Sequence, residues 1–322
     1  MGAVRRIGVL TSGGDAPGMN AAVRAVVRMG AYAGIEAVGV RRGFDGLLRR
    51  DFVPLDRRAV ADLIHRGGTI LGTARCDRMR TDEGQAQAAH AIAQAALDGL
   101  VVIGGDGSLH GAIALEGLGV PTVGVPGTID NDLNGTESSI GFDTACNTAL
   151  EAIDRVRDTA TAHDRTFVVE VMGRECGHLA LACAIAGGAE CVLVPEVPTR
   201  LEVVCERVQE AYTVGKRHSI VVVAEGAARG FDVASEIGAR TGLEARVTVL
   251  GHVQRGGTPT APDRLLASYL GAAAVTVLAE GGRGVMVGWQ AGRVVRTGYA
   301  EVLAAPKALD MERFALVSQL AI

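Results

Sequence analysis

Short β-branched runs alternate with alanine-rich stretches along the whole chain. That alternation predicts parallel βα units, because two parallel strands need a crossover, usually a helix, to connect them. Strands are expected at 6–10 (RIGVL), 100–104 (LVVIG), 122–125 (TVGV), 166–171 (TFVVEV), 219–225 (SIVVVAE) and 246–250 (RVTVL). Helices are expected at 19–32, 84–97, 142–160, 200–213 and 262–279. In the first of these, Val23, Val26, Val27 and Met29 make a one-sided apolar stripe, while Arg24 and Arg28 stand at i and i+4 on another face.

Each apolar run is followed by a polar or glycine-rich cluster: TSGGDAPGMN, GDGS, GTIDND, MGRECG, GAARG and GHVQRGG. In open parallel sheets ligands bind beyond the carboxyl ends of the strands, so these clusters point to a pocket on one rim or on two facing rims. No linker, low-complexity tract or internal repeat marks a domain boundary.

Composition narrows the class. With 322 residues, 48% of them hydrophobic, the chain has material for two cores. A net charge of −4 without a basic run argues against a nucleic-acid surface, so any phosphate site must use locally placed arginines. Cysteines 76, 146, 176, 183, 191 and 205 lack metal-binding or disulfide spacing and read as small buried hydrophobes in a reducing compartment. The first ten residues show no signal-peptide core, and Arg6 stands where a myristoylation signal needs Ser or Thr. The longest apolar stretch, His178 to Pro195, contains two glycines and Glu190, which argues against a membrane span. The cytoplasm is the expected location.

The clusters carry the chemistry. PGTIDND, 126–132, places Asp130 and Asp132 directly after an apolar run; taken alone the segment reads first as a turn and only second as an acid pair able to deprotonate a hydroxyl beside phosphate, an order that the other clusters reverse. TSGGDAPGMN sits between a strand and a helix, where glycines permit close approach and a helix N-terminus attracts anions, yet it fits neither the Rossmann nor the P-loop fingerprint. In GGDGS, Asp106 is either a helix cap or a ligand for Mg²⁺, which favours one or two carboxylates plus phosphate oxygens. Arg75, Arg165, Arg174, Arg246 and Arg255 lie at strand or loop edges and offer bidentate phosphate recognition, or else surface ion pairs. His252, close to Arg255, suits a neutral hydrogen-bonding role. Together the parts fit phosphoryl transfer to an acceptor that carries its own phosphate.

IGVLTSGGDAPGMNAA, RGGTILGTAR, VVIGGDGS, GVPGTIDND, IGFDTA, EAIDRVRDTA, VEVMGR, VVVAEG, RVTVLGHVQRGG and DRLLAS, in this order, resemble the bacterial 6-phosphofructokinases over nearly the whole chain. The resemblance implies an α/β fold of two Rossmann-like parallel-sheet α/β/α domains. It assigns 1–140 with 254–304 to an ATP-binding domain and 141–253 with 305–322 to a sugar-phosphate domain. It implies transfer of the ATP γ-phosphoryl group to the 1-hydroxyl of fructose 6-phosphate, with Mg²⁺ as cofactor, in a homotetramer.

By the same resemblance Asp130 matches the catalytic base, Asp132 its neighbouring acid, Thr128 a contact of the transferred group and Arg174 a contact of the transition state. Gly14, Arg75, Cys76, Gly105, Asp106, Gly107 and Ser108 match the ATP loops, with Asp106 as the metal ligand. Thr128, Ile129, Asp130, Met172, Gly173, Arg174, Glu225, His252 and Arg255 match the sugar-phosphate site, and Arg165 with Arg246 the pair contributed by a neighbouring subunit. Arg24, Arg28, Arg57, Arg157, Glu190 and Lys216 match an effector site taking ADP as activator and phosphoenolpyruvate as inhibitor. Val214 departs from the pattern, standing where a basic effector contact is usual, and implies a weakened response.

Pyrophosphate-using members of the family typically carry Asp at Gly107 and Lys at Gly127. Two glycines there favour ATP as donor. A catalytically silent sensor of nucleotide and sugar phosphate is a further alternative, against which Asp106, Asp130 and Arg174 all stand.

Overall fold

The computed structural model describes residues 4–163, 165–198, 200–216 and 218–321. Two compact units divide the chain: the residues up to Thr144 with Arg255–Lys307, and Ala145–Gln254 with the residues from Ala308 onward. In chain order the first unit opens with β1 (Arg6–Thr11), α1 (Met19–Tyr32), β2 (Glu36–Val40), α2 (Gly43–Arg49), β3 (Phe52–Leu55), α3 (Asp82–Gln94), β4 (Gly99–Gly104), α4 (Asp106–Gly117) and β5 (Thr122–Pro126). Helix α5 (Phe142–His163), most of it in the second unit, leads to β6 (Thr166–Val171), α6 (His178–Ala186), β7 (Cys191–Leu193), α7 (Leu201–Thr213), β8 (Ser219–Ala224), α8 (Gly230–Thr241) and β9 (Ala245–Val249). The chain returns with α9 (Ala261–Ala279), β10 (Val285–Gln290), β11 (Arg293–Gly298) and α10 (Tyr299–Val302), and α11 (Met311–Leu320) completes the second unit.

Among the described residues, the first sheet has seven strands in the order β11-β10-β5-β4-β1-β2-β3. Its inner strands run parallel, and each edge carries an antiparallel partner. At one edge the pairing of Gln290 with Arg293 leaves a two-residue turn, Ala291 (φ 48) and Gly292 (φ 76). Positive φ at both positions is the geometry whose twist suits a tight hairpin, so no crossover is needed and the strand must reverse. At the other edge β3 contains Pro54, which an edge strand tolerates because one side makes no ladder bonds. The mixed edges refine the expectation of a parallel sheet. The second sheet, β7-β8-β6-β9, is parallel throughout.

Burial explains the sequence pattern. Every residue of β4 is buried, as expected of a central strand covered on both faces, and each large aliphatic side chain so placed contributes about 1.5–3 kcal/mol. One apolar cluster joins Leu10, Val38, Leu100, Val102, Leu109 and Met286 in the first unit, and another joins Val168, Leu193, Val208, Val221, Val223 and Ile237 in the second. The apolar stretch 178–195 is not one element: Gly187, and Gly188 at φ 59, break it into α6 and β7. Among the described residues no helix is long and apolar enough to cross a membrane.

The start of α5 hangs on one buried side chain. Asp263 on α9, 1% exposed, accepts hydrogen bonds from Gly141 N–H and Thr144 N–H, both 2.8 Å, and from the Thr144 hydroxyl at 2.5 Å. Burial nevertheless pushes its carboxyl above the ordinary aspartate range, against these hydrogen bonds. A carboxyl that binds its proton more tightly folded than unfolded contributes most at low pH, and that contribution falls as pH rises through the raised value. Asp263→Ala should cost about 2–3 kcal/mol, read as a lower urea midpoint. The stability difference between wild type and Asp263→Asn should shift with pH across that range in the same sense.

Candidate active site

Strands β1, β4 and β5 are neighbours, and their carboxyl ends lead into TSGGD, GGDGS and PGTIDND. Hydrogen bonding continues past the sheet: Ser12 N–H donates to Ile103 O at 3.0 Å and Gly127 N–H to Gly104 O at 2.9 Å. The loops therefore touch backbone to backbone, which dictates small residues. A Cβ on Gly104 would lie 2.6 Å from Ser12 O, and one on Gly105 would lie 3.4 Å from Thr128 Cβ. Gly13, at φ +83, stands beside the buried Ser108. Asp106 and Gly107 open helix α4 and are exposed, with nothing within 4 Å of a Cβ on Gly107. Exposed N–H groups at the start of a helix, with room beside them, suit an anionic ligand.

Asp106 is exposed, with its carboxylate 3.6 Å from His110 Nδ1. No group of three or more His, Cys, Asp or Glu gathers to hold a metal among the described residues. One exposed carboxylate at a helix start, with open space beside Gly107, fits Mg²⁺, which takes most of its oxygens from phosphate and water.

In PGTIDND the structure keeps the turn and buries the acid. Asp130 N–H donates to Thr128 Oγ1 at 3.1 Å, and the Ser139 hydroxyl donates to Thr128 O at 2.6 Å. Ile129 is fully buried and Asp130 is 1% exposed, whereas a capping turn would leave its acid in water. Asn131 takes a left-handed backbone, φ 55, between the two acids, and Asp132 is half-buried.

Arg75 and Cys76 end the stretch RGGTILGTAR, Arg75 exposed and Cys76 against the core. Two residues that the sequence reading passed over hold this stretch. Asn20, 2% exposed, accepts from Ile70 N–H at 2.7 Å and donates to Arg66 O and Gly67 O at 3.1 and 3.0 Å. Thr11 Oγ1 is 2.9 Å from Thr69 Oγ1 and donates to Gly72 O at 3.0 Å. The one signal available was a polar residue at an otherwise apolar position of a helix's first turn. Arg255 also lies in the first unit, its guanidinium against Gly14 and donating to Asp15 O at 3.1 Å.

In the second unit the MGR loop leaves β6 in an unusual backbone, Gly173 at φ 143 and Arg174 at φ 53. Glu225, after β8, accepts from Gly173 N–H at 3.3 Å and Arg174 N–H at 2.9 Å. Met172 N–H donates to Oε1 of the fully buried Gln254 at 2.9 Å, a link absent from the sequence reading. His252 is exposed in the 3₁₀ turn Gly251–Arg255. Arg165 and Arg246 lie elsewhere. They stand at the opposite, amino-terminal ends of β6 and β9, roughly 20 Å from Met172 at ~3.3 Å per strand residue. Both pair with Glu244, Arg165 Nε at 2.8 Å from Oε2, and the Arg165 hydrogen bond holds the Glu244 carboxyl below the usual range.

Arg157, Glu190 and Lys216 gather around the end of α6. Arg157 donates to Gly187 O, Lys216 Nζ is 2.5 Å from the buried Glu190 carboxylate, and Lys216 also donates to Ala321 O at 3.1 Å. Arg24, Arg28 and Arg57 belong to the first unit. Partial burial, and then the charge of Arg28 one turn away, lower the pKa of Arg24.

A family model described as phosphofructokinase matches residues 6–278. The chain belongs to the phosphofructokinase family. It is 53% identical over 319 residues to an ATP-dependent 6-phosphofructokinase of Halalkalibacterium halodurans, covering 99% of this chain and 100% of the relative. It is 52% identical, with the same coverage, to the enzyme of that name from Natranaerobius thermophilus. Among solved structures it resembles phosphofructokinase from Saccharomyces cerevisiae with a TM-score of 0.88 and 37% identity, covering 99% of this chain and 48% of the yeast chain. The match to that fold agrees with the two α/β/α units found here.

Crowding at the phosphofructokinase glycine loops is uneven, and substitution should expose it. Gly104→Ala forces Ser12 and Ser108 apart and should lower the thermal midpoint by several degrees, about 1–3 kcal/mol. Gly107→Ala has open space and should shift the midpoint by less than a degree or two, within about 0.5 kcal/mol.

Proposed function

We propose that this chain transfers the γ-phosphoryl group of ATP to the 1-hydroxyl of fructose 6-phosphate, giving fructose 1,6-bisphosphate and ADP, as a step of glycolysis in the cytoplasm. The observation that carries the reading is Asp130, 1% exposed at the end of β5 and next to Thr128, which abuts the helix-start loop at Gly105. An acid sequestered from water beside a phosphate-binding helix start is placed to take a proton where phosphate reacts. Membership of the phosphofructokinase family and relatives named for the ATP-dependent reaction support the choice of substrates.

In this reading the sugar's 1-hydroxyl oxygen forms a bond to the γ-phosphorus as the bond to ADP breaks. Asp130 accepts the hydroxyl proton; Asp132 supports the charge distribution of the loop, and Thr128 hydrogen-bonds the transferred group. Arg174 offsets charge on the phosphoryl oxygens in the transition state. Gly14, Arg75, Cys76, Gly105, Gly107 and Ser108 bind the nucleotide. Asp106 would hold Mg²⁺, which when bound neutralises phosphate charge. Met172, Gly173, Ile129, Glu225, His252 and Arg255 bind the sugar phosphate. The Glu225 carboxylate also holds the N–H groups of Gly173 and Arg174. ATP rather than pyrophosphate is the donor, because the open space at Gly107 would be filled by an acidic side chain there.

Arg165 and Arg246 lie at the wrong end of their sheet to serve the Met172 loop of the same chain, which favours their serving a neighbouring subunit in a homotetramer. Arg24 and Arg28, like charges one turn apart, and the group of Arg157, Glu190 and Lys216 suit an anionic effector, ADP or phosphoenolpyruvate, with Arg57 contributing. Val214, 73% exposed just after α7, offers such an anion no charge, so the response to phosphoenolpyruvate is weak.

Asp130→Ser should lower kcat by about 10³-fold or more while fructose 6-phosphate still binds. A kcat equal to wild type would remove Asp130 from the base role. Gly107→Asp should keep the wild-type thermal midpoint and lose ATP turnover; retained ATP turnover would remove the nucleotide from that space.

A further inference from the structure

The acid pair of PGTIDND is separated by a residue with a demanding backbone. Asn131, 6% exposed, holds φ 55, a region that Asn visits more readily than most residues and that reverses the chain between Asp130 and Asp132. Its side chain does more than tolerate that conformation. Nδ2 donates to Glu137 O at 3.1 Å and Oδ1 accepts from Ser139 N–H at 3.0 Å, so one carboxamide closes the loop 131–139 upon itself. Ser139 then reaches back to Thr128 O, which ties both ends of the acid pair to the same loop.

A second, distant residue fastens the closure. Lys307 Nζ donates to Asn131 Oδ1 at 3.1 Å and to Glu137 O at 3.0 Å, the two oxygens already used within the loop. Its backbone N–H lies 3.3 Å from Asp132 O. Lys307 thus bonds at three points to a segment 170 to 176 residues earlier in the chain. The Glu137 side chain is engaged in another direction, its Oε1 accepting from Ala291 N–H at 3.0 Å. Hydrogen bonds from a charged donor are stronger than neutral ones, so Lys307 adds a charge-assisted clasp to the bonds that the loop makes with Trp289, Ala291 and Ala305.

We propose that Lys307, acting through Asn131, is a positioning residue for the acid pair: it holds the left-handed turn that sets the directions of Asp130 and Asp132. The proposal rests on the reading of Asp130 as the base. No role beyond ordinary stability is required of Lys307 if that turn is rigid without it, and the two cases differ in measurable ways. Misplacing a reacting group by about 1 Å costs on the order of 10²-fold in rate without a matching change in substrate binding.

The test compares Lys307→Met and Lys307→Arg with wild type and Asp130→Ser. It measures kcat, the KM for ATP and for fructose 6-phosphate, the urea midpoint, and amide hydrogen exchange over 128–139. Lys307 is only half-buried, so the methionine variant folds. Lys307→Met should lower kcat about 10- to 100-fold with each KM within about twofold, and speed exchange over 128–139. Lys307→Arg, which keeps charged donors, should recover most of the kcat. A Lys307→Met enzyme with wild-type kcat, or with unchanged exchange over 128–139, would overturn the proposal. So would a kcat loss explained by a lower folded fraction. If Asp130→Ser retains wild-type kcat, the base reading fails by itself, and exchange over 128–139 in Lys307→Met then decides the clasp: faster supports it, unchanged overturns it.

Discussion

Two backbone hydrogen bonds beyond the end of the first sheet, Ser12 N–H to Ile103 O and Gly127 N–H to Gly104 O, govern everything built around them. They extend the β1, β4 and β5 pairing into the loops, so three chain segments meet with main chain against main chain. Contact that close leaves no room for a side chain at Gly104, whose glycine follows from the packing rather than from a need for flexibility; at Gly105 a Cβ would meet the Thr128 side chain only at ordinary contact distance. Once the loops are packed, the start of α4 and the buried Asp130 are fixed with respect to the same strands. Precision here comes from the sheet, the stiffest part of the unit.

Carboxylates in this chain divide their work between structure and chemistry. Asp263 accepts three hydrogen bonds to seat α5, and Glu225 accepts two N–H groups to hold a loop whose backbone is otherwise costly. Glu244 gathers two arginines at the far end of the second sheet. Asp130, buried at a loop rather than capping a helix, is the acid that the proposed transfer employs. The contrast is one of surroundings: the same functional group accepts backbone N–H groups in one place and, in the proposed transfer, serves the reacting phosphate in another.

Strands with continuous β-branched runs were legible, most of them because central parallel strands are apolar on both faces; the six expected runs coincide with strands, those at 219–225 and 246–250 overrunning by one residue. The remaining strands were not. β3 carries a proline, β7 has only three residues inside an apolar stretch, and the β10–β11 hairpin depends on a left-handed pair at Ala291 and Gly292 that composition does not announce. Two of the three passages between units were illegible from composition for a physical reason, since they fall within α5 and within a 3₁₀ turn; the third, at Lys307–Ala308, lies in a short irregular segment. At the site, glycine clusters and acids stood out because they interrupt apolar runs. Asn20, Gln254 and Lys307 did not, because their partners, most of them backbone groups, lie 46 to 176 residues away.

Phosphorus NMR of the protein mixed with ATP, Mg²⁺ and fructose 6-phosphate follows the proposed transfer atom by atom. ADP and a new sugar 1-phosphate resonance should grow in equal amounts, with the 6-phosphate retained and no phosphate released. Pyrophosphate in place of ATP should leave the sugar unchanged. Turnover with pyrophosphate but not ATP, or ATP loss that releases inorganic phosphate without a second sugar phosphate, would contradict the assignment of donor and acceptor.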